Sequence, residues 1–161
     1  MKKEKKAFTM TELVFVIVII GILAAVAIPK LSATRDDAII SKARTLVASV
    51  RNALAMERQK RILRGEFSPL TGVGNSTNVF GNFYDANGDT GHAVLEYPVP
   101  SEPNTKDRWS FSAGTGEDGR DQYIFSSTLD DVKFEVVEGR FECDSSLTAN
   151  TNNEGCKTLT N

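Results

Sequence analysis

An apolar run from Phe8 to Ile28, FTMTELVFVIVIIGILAAVAI, constrains this chain more than any other feature. From Leu13 to Ile28 there is no charged or strongly polar side chain. As a helix the run would be about 31 Å long, at roughly 1.5 Å per residue, and the hydrocarbon core of a bilayer is roughly 30 Å thick. The run therefore predicts a helix that spans a membrane.

The residues around the run indicate its orientation and its weak points. The preceding segment, MKKEKKA, carries four lysines, which keep the N-terminus on the cytoplasmic side. Glu12 lies near the start of the run, where an unpaired carboxylate is costly in lipid and is therefore a functional candidate. Gly21 and Pro29 lower helix stability and are candidates for a helix break. A proline can also sit in a long helix with a kink, so we expect one curved helix of more than 50 residues.

Together these features resemble the N-terminal segment of type IV pilins and of type II secretion pseudopilins. The resemblance is close over residues 1–35 and extends in pattern to Arg64. It implies that a prepilin peptidase of the membrane cuts between Ala7 and Phe8 and methylates the new amine of Phe8. The family usually has glycine before the cut, where this chain has Ala7.

The resemblance also implies a function without catalysis. The chain would be a structural subunit of a type IV pilus or a type II secretion pseudopilus, stored in the bacterial inner membrane with its head in the periplasm. Its partners would be the peptidase, an inner-membrane assembly platform and other pilin-like subunits, in a homo- or hetero-polymer. In the filament, small residues such as Gly21 would allow close helix packing, and Glu12 would pair with the Phe8 amine of a neighbouring copy.

Two alternatives remain open at this point. Ala25, Val26 and Ala27 could form a signal-peptidase site, which would release a soluble chain beginning at Ile28. The chain could also be a membrane-tethered or secreted binding module that does not polymerise. Glu12 discriminates between these readings and the filament, because a disposable or isolated anchor does not require it.

The rest of the chain predicts a long helix followed by a β-rich head. The predicted regions are 1–7 (leader), 8–29 (membrane and filament-core helix), 30–64 (amphipathic helix) and 65–161 (periplasmic head). Apolar residues recur at three- and four-residue spacing to Arg64, and Gly65 is placed to end the helix. Residues 30–64 carry a net charge of +6 and residues 65–161 a net charge of −10. Because their charges are opposite, these two regions could pack on each other or on neighbouring copies. Without aromatic interleaving, the basic helix is not expected to bind nucleic acid.

Alternating apolar residues predict four strands in the head, at Ala93–Tyr97, Arg108–Ser112, Gln122–Ser126 and Val132–Val137. The last three would form an antiparallel meander, and one aromatic face, including Trp109, would cover the helix. Phe141–Cys143 could extend the final strand or begin a new loop. The expected fold class is α+β and pilin-like, with a long helix on a small antiparallel sheet.

The remaining candidates are weaker. Residues 65–92 read as a loop with an Asn87-Gly88 turn, and Val79, Phe80, Phe83 and Tyr84 are expected to pin it to the core. No cofactor is expected, although Asp85, Asn87 and Asp89, with Asp118 and Asp121, are weak calcium candidates. Cys143 and Cys156 are expected to form a disulfide in an oxidising compartment. His92, the only histidine, lies in a predicted loop and does not suggest an active site.

Overall fold

Helix α1, Met10–Leu63, is the dominant element of the fold. The computed structural model describes residues 8–127, 131–144 and 154–160. The helix is continuous through Gly21 and Pro29, so the expectation of one helix of more than 50 residues is confirmed, and the helix break at these two residues is wrong. Proline removes one N–H donor from the ladder, and the hydrogen bonds before and after it are enough to maintain the helix.

The C-terminus of α1 is closed by a glycine motif. Gly65 has a φ of 81°, the left-handed region that glycine enters without steric cost. Its N–H donates to the Ile62 carbonyl at 3.0 Å, and the Glu66 N–H donates to the Arg61 carbonyl at 2.9 Å. This pair of bonds is the Schellman arrangement, which satisfies carbonyls left free at a helix end. The prediction that Gly65 ends the helix is confirmed.

The chain divides into two compact units, one ending at Ala38 and the other beginning at Ile39. We call the second unit the head. It contains the end of α1, two antiparallel sheets and two short helices. The first sheet contains β1 (Leu70–Gly72), β2 (Asn82–Asp85) and β3 (Gly88–Ala93), and the second contains β4 (Arg108–Ser112), β5 (Gln122–Ser126), β6 (Asp131–Val137) and β7 (Arg140–Cys143). A 3-10 turn spans Glu117–Gly119, and helix α2 spans Glu154–Thr160.

The second sheet is the predicted meander with one additional strand. Its order is β4-β5-β6-β7, and every neighbouring pair is antiparallel. β4 and β5 have the predicted bounds, and β6 begins one residue earlier than predicted. Glu138 and Gly139 both have positive φ and turn the chain back, so Phe141–Cys143 belongs to a separate strand, β7, and does not extend β6.

The first sheet corrects two expectations. Residues 65–92 are not only loop, because β1, β2 and the first five residues of β3 lie there. The Asn87-Gly88 turn is confirmed, since it connects β2 to β3. The predicted strand Ala93–Tyr97 is wrong, because only Ala93 belongs to a strand. The Val94 N–H still donates to the Gly81 carbonyl at 2.7 Å. Gly81 precedes the first residue of β2, so the described residues provide no strand to pair with the segment after Ala93.

The core of the head lies between α1 and the aromatic face of the second sheet. The helix contributes Ala43, Val47, Val50 and Leu54, spaced by three or four residues and all buried. Phe134 and Phe141 stack with ring centroids 4.9 Å apart, as expected for cross-strand aromatic pairs. Val79, Phe80 and Phe83 are also buried, as predicted. The α+β class, with a long helix on small antiparallel sheets, is confirmed.

Candidate functional site

The N-terminal unit presents apolar side chains in every direction. Each large apolar residue from Leu13 to Leu31 is exposed, and Phe8, before the helix begins, is 80% exposed. Among the described residues, α1 is the one helix long and apolar enough to cross a membrane. A helix that is apolar on all sides requires lipid or other protein around it. Ala7 and the rest of the leader lie outside the described residues.

Glu12 has a local partner at the start of this helix. Its Oε2 accepts hydrogen bonds from the Thr9 N–H at 3.1 Å and from the Thr9 hydroxyl at 2.9 Å. In return the Glu12 N–H donates to Thr9 Oγ1 at 3.3 Å. This reciprocal arrangement is a capping box, which satisfies N–H groups left free at a helix N-terminus. Sequence reasoning missed it, although the spacing Thr-x-x-Glu is its signature.

Gly21 is an open position in the isolated chain. A Cβ placed there would meet no heavy atom within 4 Å among the described residues. The glycine is therefore not required by any packing inside this molecule. Ala24 and Ala25, a turn further along α1, keep the same stretch of the helix narrow. This narrow stretch gives another helix room to approach closely.

In the head, α1 holds the β2–β3 hairpin through two polar side-chain contacts. Glu57 Oε1 lies 2.8 Å from Nδ1 of His92, and Arg61 Nη2 lies 2.6 Å from Asp85 Oδ2. Glu57 and Arg61 are four residues apart, so they lie on the same face of the helix. His92 lies in strand β3 and contacts the buried carboxylate of Glu57. The prediction that His92 lies in a loop is wrong.

Four of the five calcium candidates use their carboxylates in contacts within the chain, and the fifth, Asn87, is bonded through its backbone N–H. Asp85 binds Arg61, and the Asn87 N–H donates to Asp85 Oδ1 at 2.8 Å. Asp89 accepts hydrogen bonds from Asn82 and from a backbone N–H. In the second acidic turn, Asp118 pairs with Arg120 at 3.1 Å, and Asp121 accepts from the Gly114 N–H at 3.1 Å. The described residues contain no group of three or more acidic, His or Cys side chains arranged to hold a metal ion.

The predicted disulfide between Cys143 and Cys156 is confirmed. Their Cα atoms are 5.8 Å apart, and the bond joins the end of β7 to helix α2. Cys156 and Leu159 of α2 are buried in the core. The Arg44 guanidinium donates to the Thr158 carbonyl, so α2 is also tied to α1. Most of the loop that the disulfide closes, residues 145–153, lies outside the described residues.

These features fit a membrane-anchored protein with an α+β head, and comparison with known proteins gives its family. The sequence model of the prokaryotic N-terminal methylation motif matches residues 2–28. The type IV major fimbrial protein FimA of Dichelobacter nodosus, and that of its strain VCS1703A, are each 30% identical to this chain over 149 residues. The match covers 92% of this chain and 91% of each relative. No solved structure gave a significant match. The chain belongs to the type IV pilin family, and the predicted resemblance is confirmed.

Proposed function

We propose that this chain is a polymerising subunit of a type IV pilus, with a structural and not an enzymatic role. The observation that carries the proposal is the match to a major fimbrial protein over nine-tenths of both chains, together with the methylation motif. The relatives are fimbrial, which favours a surface pilus over a secretion pseudopilus. Before assembly, the subunit is stored in the inner membrane with its head in the periplasm. It enters the filament through an assembly platform.

Processing precedes assembly in this proposal. Prepilin peptidase cuts between Ala7 and Phe8, and the amine of Phe8 is then methylated. The cut removes the lysine-rich leader and leaves the apolar helix on the mature chain. The exposed position of Phe8 supports this step, because the new terminus must be accessible to the enzyme.

Assembly uses the apolar helix as the filament core. Burying α1 against neighbouring copies replaces lipid contacts by protein contacts. The free energy gained on assembly therefore depends on how closely the helices pack. The open position at Gly21 supports such packing. Glu12 pairs with the Phe8 amine of a neighbouring copy, and this charge-assisted contact is strong in a water-free setting.

The capping box supports a second candidate function, a membrane-tethered module that does not polymerise. Thr9 satisfies Glu12 within one chain, so an isolated anchor also has a use for this carboxylate. The two functions differ in what Glu12 must supply. A cap needs a hydrogen-bond acceptor at the third helical position, which glutamine also provides, whereas pairing with an amine needs the negative charge.

Three variants in the native host separate these roles. Glu12→Gln keeps an acceptor for the cap and removes the charge. Thr9→Ala removes the two cap bonds of the hydroxyl and keeps the charge, and Glu12→Ala removes both the acceptor and the charge. We expect normal membrane levels in all three, few or no sheared filaments from both Glu12 variants, and filaments from Thr9→Ala. Wild-type filament yield from Glu12→Gln would contradict the proposed pairing and favour the tethered module.

A further inference from the structure

The head has a groove of about 510 Å³ between α1 and the β6–β7 hairpin. Strand β7 forms one edge of the second sheet, so the groove runs along that edge. The side chains that the argument uses are Arg51, Arg58, Ile62, Arg140 and Glu142. A smaller cavity of about 120 Å³ continues from it and shares Arg58, Ile62 and Gly139.

The groove is positively charged and has an apolar floor. Arg58 and Arg140 are exposed, and neither pairs with a carboxylate of the described residues. Arg51 donates its Nε–H to the Phe141 carbonyl at 3.0 Å, which protects the edge strand and leaves its charge unneutralised. Three arginines therefore face one carboxylate, Glu142. Arginine beside apolar surface is the composition typical of the centre of a protein interface.

A complementary projection lies elsewhere on the head. Tyr97 is 80% exposed, and the adjacent Glu96 is exposed with no ion pair among the described residues. We call these two residues the knob. The backbone is fixed on both sides of it, because the Val94 N–H donates to the Gly81 carbonyl and the Val99 carbonyl accepts from the Val79 N–H at 2.8 Å. An aromatic anchor held in this way loses little entropy on binding.

The knob and the groove are formed by different segments of the head. After the knob, the chain runs beside β4, where the Glu102 N–H donates to the Trp109 carbonyl at 2.9 Å. β4 and β7 are the two outer strands, three strand spacings or about 14 Å apart. The groove is formed by α1 and β7 and the knob lies in the segment between β3 and β4, so the two patches share no residue.

We propose that the groove binds the knob of a second copy of this chain. Tyr97 packs on the apolar floor beside Ile62, and Glu96 pairs with Arg58 and Arg140. Because the two patches differ, the contact is heterologous and repeats from copy to copy, as an open helical filament requires. The inference rests on the proposed function and adds a contact between heads to the contact between helices.

Charge reversal tests the contact in the full-length protein in cells. Arg58→Glu and Glu96→Arg each put like charges together, so each lowers the yield of sheared filaments at least about tenfold at unchanged membrane level. The double variant Arg58→Glu, Glu96→Arg restores the attraction and recovers the yield. Lys157→Glu is the control, because it also replaces a positive charge by a negative one, at an exposed position of α2 outside both patches. It leaves the yield unchanged. Fluorescence of Trp109 verifies that each head is folded.

Photocrosslinking identifies the partner surface directly. With p-benzoylphenylalanine at position 97, the proposal expects a crosslinked dimer that joins this position to peptides containing residues 51–62 or 138–142. Crosslinks to any other surface, or loss of yield without recovery in the double variant, overturn the proposal. The proposal is also overturned if Arg58→Glu filaments form in normal yield but bind less DNA than wild-type filaments. That result would assign the groove to nucleic acid.

The outcomes for the two proposals are distinct. If the wild type forms no filaments that contain this chain, the proposed function fails and the head contact fails with it. If wild-type filaments form and both charge reversals leave their yield unchanged, only the contact between heads is overturned.

Discussion

Arg61 Nη2 lies 2.6 Å from Asp85 Oδ2, and both side chains are about nine-tenths buried. This ion pair joins the last turns of α1 to the hairpin formed by β2 and β3. One turn earlier, Glu57 Oε1 lies 2.8 Å from His92 Nδ1 in a second polar contact. The hairpin buries Phe83 but exposes most of β3, so polar side-chain contacts with the helix hold it where apolar packing is sparse.

The Arg61–Asp85 pair predicts an acid-sensitive head. The hydrogen bond from Arg61, followed by that from the Asn87 backbone, holds the pKa of Asp85 below its ordinary value of 3.8. A carboxylate with a lowered folded-state pKa stabilises the protein above its unfolded pKa, and this stability is lost as pH falls through the folded pKa. We expect Asp85→Asn to lower the free energy of unfolding by about 2 kcal/mol at pH 7. The difference in unfolding free energy between Asp85→Asn and the wild type should become smaller below about pH 4.

Urea unfolding of the full-length protein in detergent, followed by Trp109 fluorescence from pH 7 to pH 3, measures this difference. Asp89→Asn is the matched control, because Asp89 is exposed and binds Asn82 and a backbone N–H without an arginine. Its effect should be smaller. A loss for Asp85→Asn that is the same at pH 7 and pH 3 would show that the ion pair is not its cause.

Tyr123→Phe should destabilise the head through a single hydrogen bond. The Val73 N–H donates to the buried Tyr123 hydroxyl at 2.8 Å, and burial raises the pKa of that phenol. Removing the oxygen leaves a buried N–H without a partner, which costs about 1 to 2 kcal/mol of unfolding free energy. The loss should be constant between pH 6 and pH 9, because the phenol stays neutral there.

The same unfolding measurement compares Tyr123→Phe with Tyr84→Phe. The Tyr84 hydroxyl accepts from Asn75 Nδ2 at 3.1 Å at a half-buried position, where water can replace it. Tyr84→Phe should therefore cost less. Equal costs for both variants would contradict the assignment of the Val73 bond as the cause.

Removing the disulfide should loosen α2 without unfolding the sheet. Cys143 and Cys156 are 13 residues apart, and a bridge of that span contributes about 3 kcal/mol in the chain-entropy description. The double variant Cys143→Ser, Cys156→Ser should unfold at lower urea, and hydrogen exchange should increase first in α2. Added reductant should shift the wild type toward the variant and leave the variant unchanged. A reductant effect of equal size on both would contradict this explanation.

The accuracy of the sequence-based predictions depended on which interaction stabilises each element. β4 and β5 were predicted to the residue because Trp109 and Phe111, and likewise Tyr123 and Phe125, alternate toward a buried face. β2 and β3 were missed because their residues are mostly polar or glycine. Their stability comes from contacts with α1 across long separations, such as the 35 residues between Glu57 and His92.

Two of the missed features had a local signal. The predicted Asn87-Gly88 turn follows Phe83 and Tyr84, which is typical of a β-hairpin, and Thr9 followed by Glu12 is typical of a capping box. Helix α2 had no such signal, because its seven residues are fixed by the disulfide and by burial of Leu159.

The most direct test of the central claim, that this chain is processed and polymerises as a pilin, is the N-terminus and mass of the chain in sheared surface filaments. The account predicts filaments visible by electron microscopy whose subunit begins at Phe8 and carries one additional methyl group on its amine. Glu12→Gln cells should yield the same processed subunit from the membrane fraction and almost none from the sheared fraction. A chain that begins at Met1 or Ile28 in active wild-type cells, or that is absent from their filaments, would contradict the account.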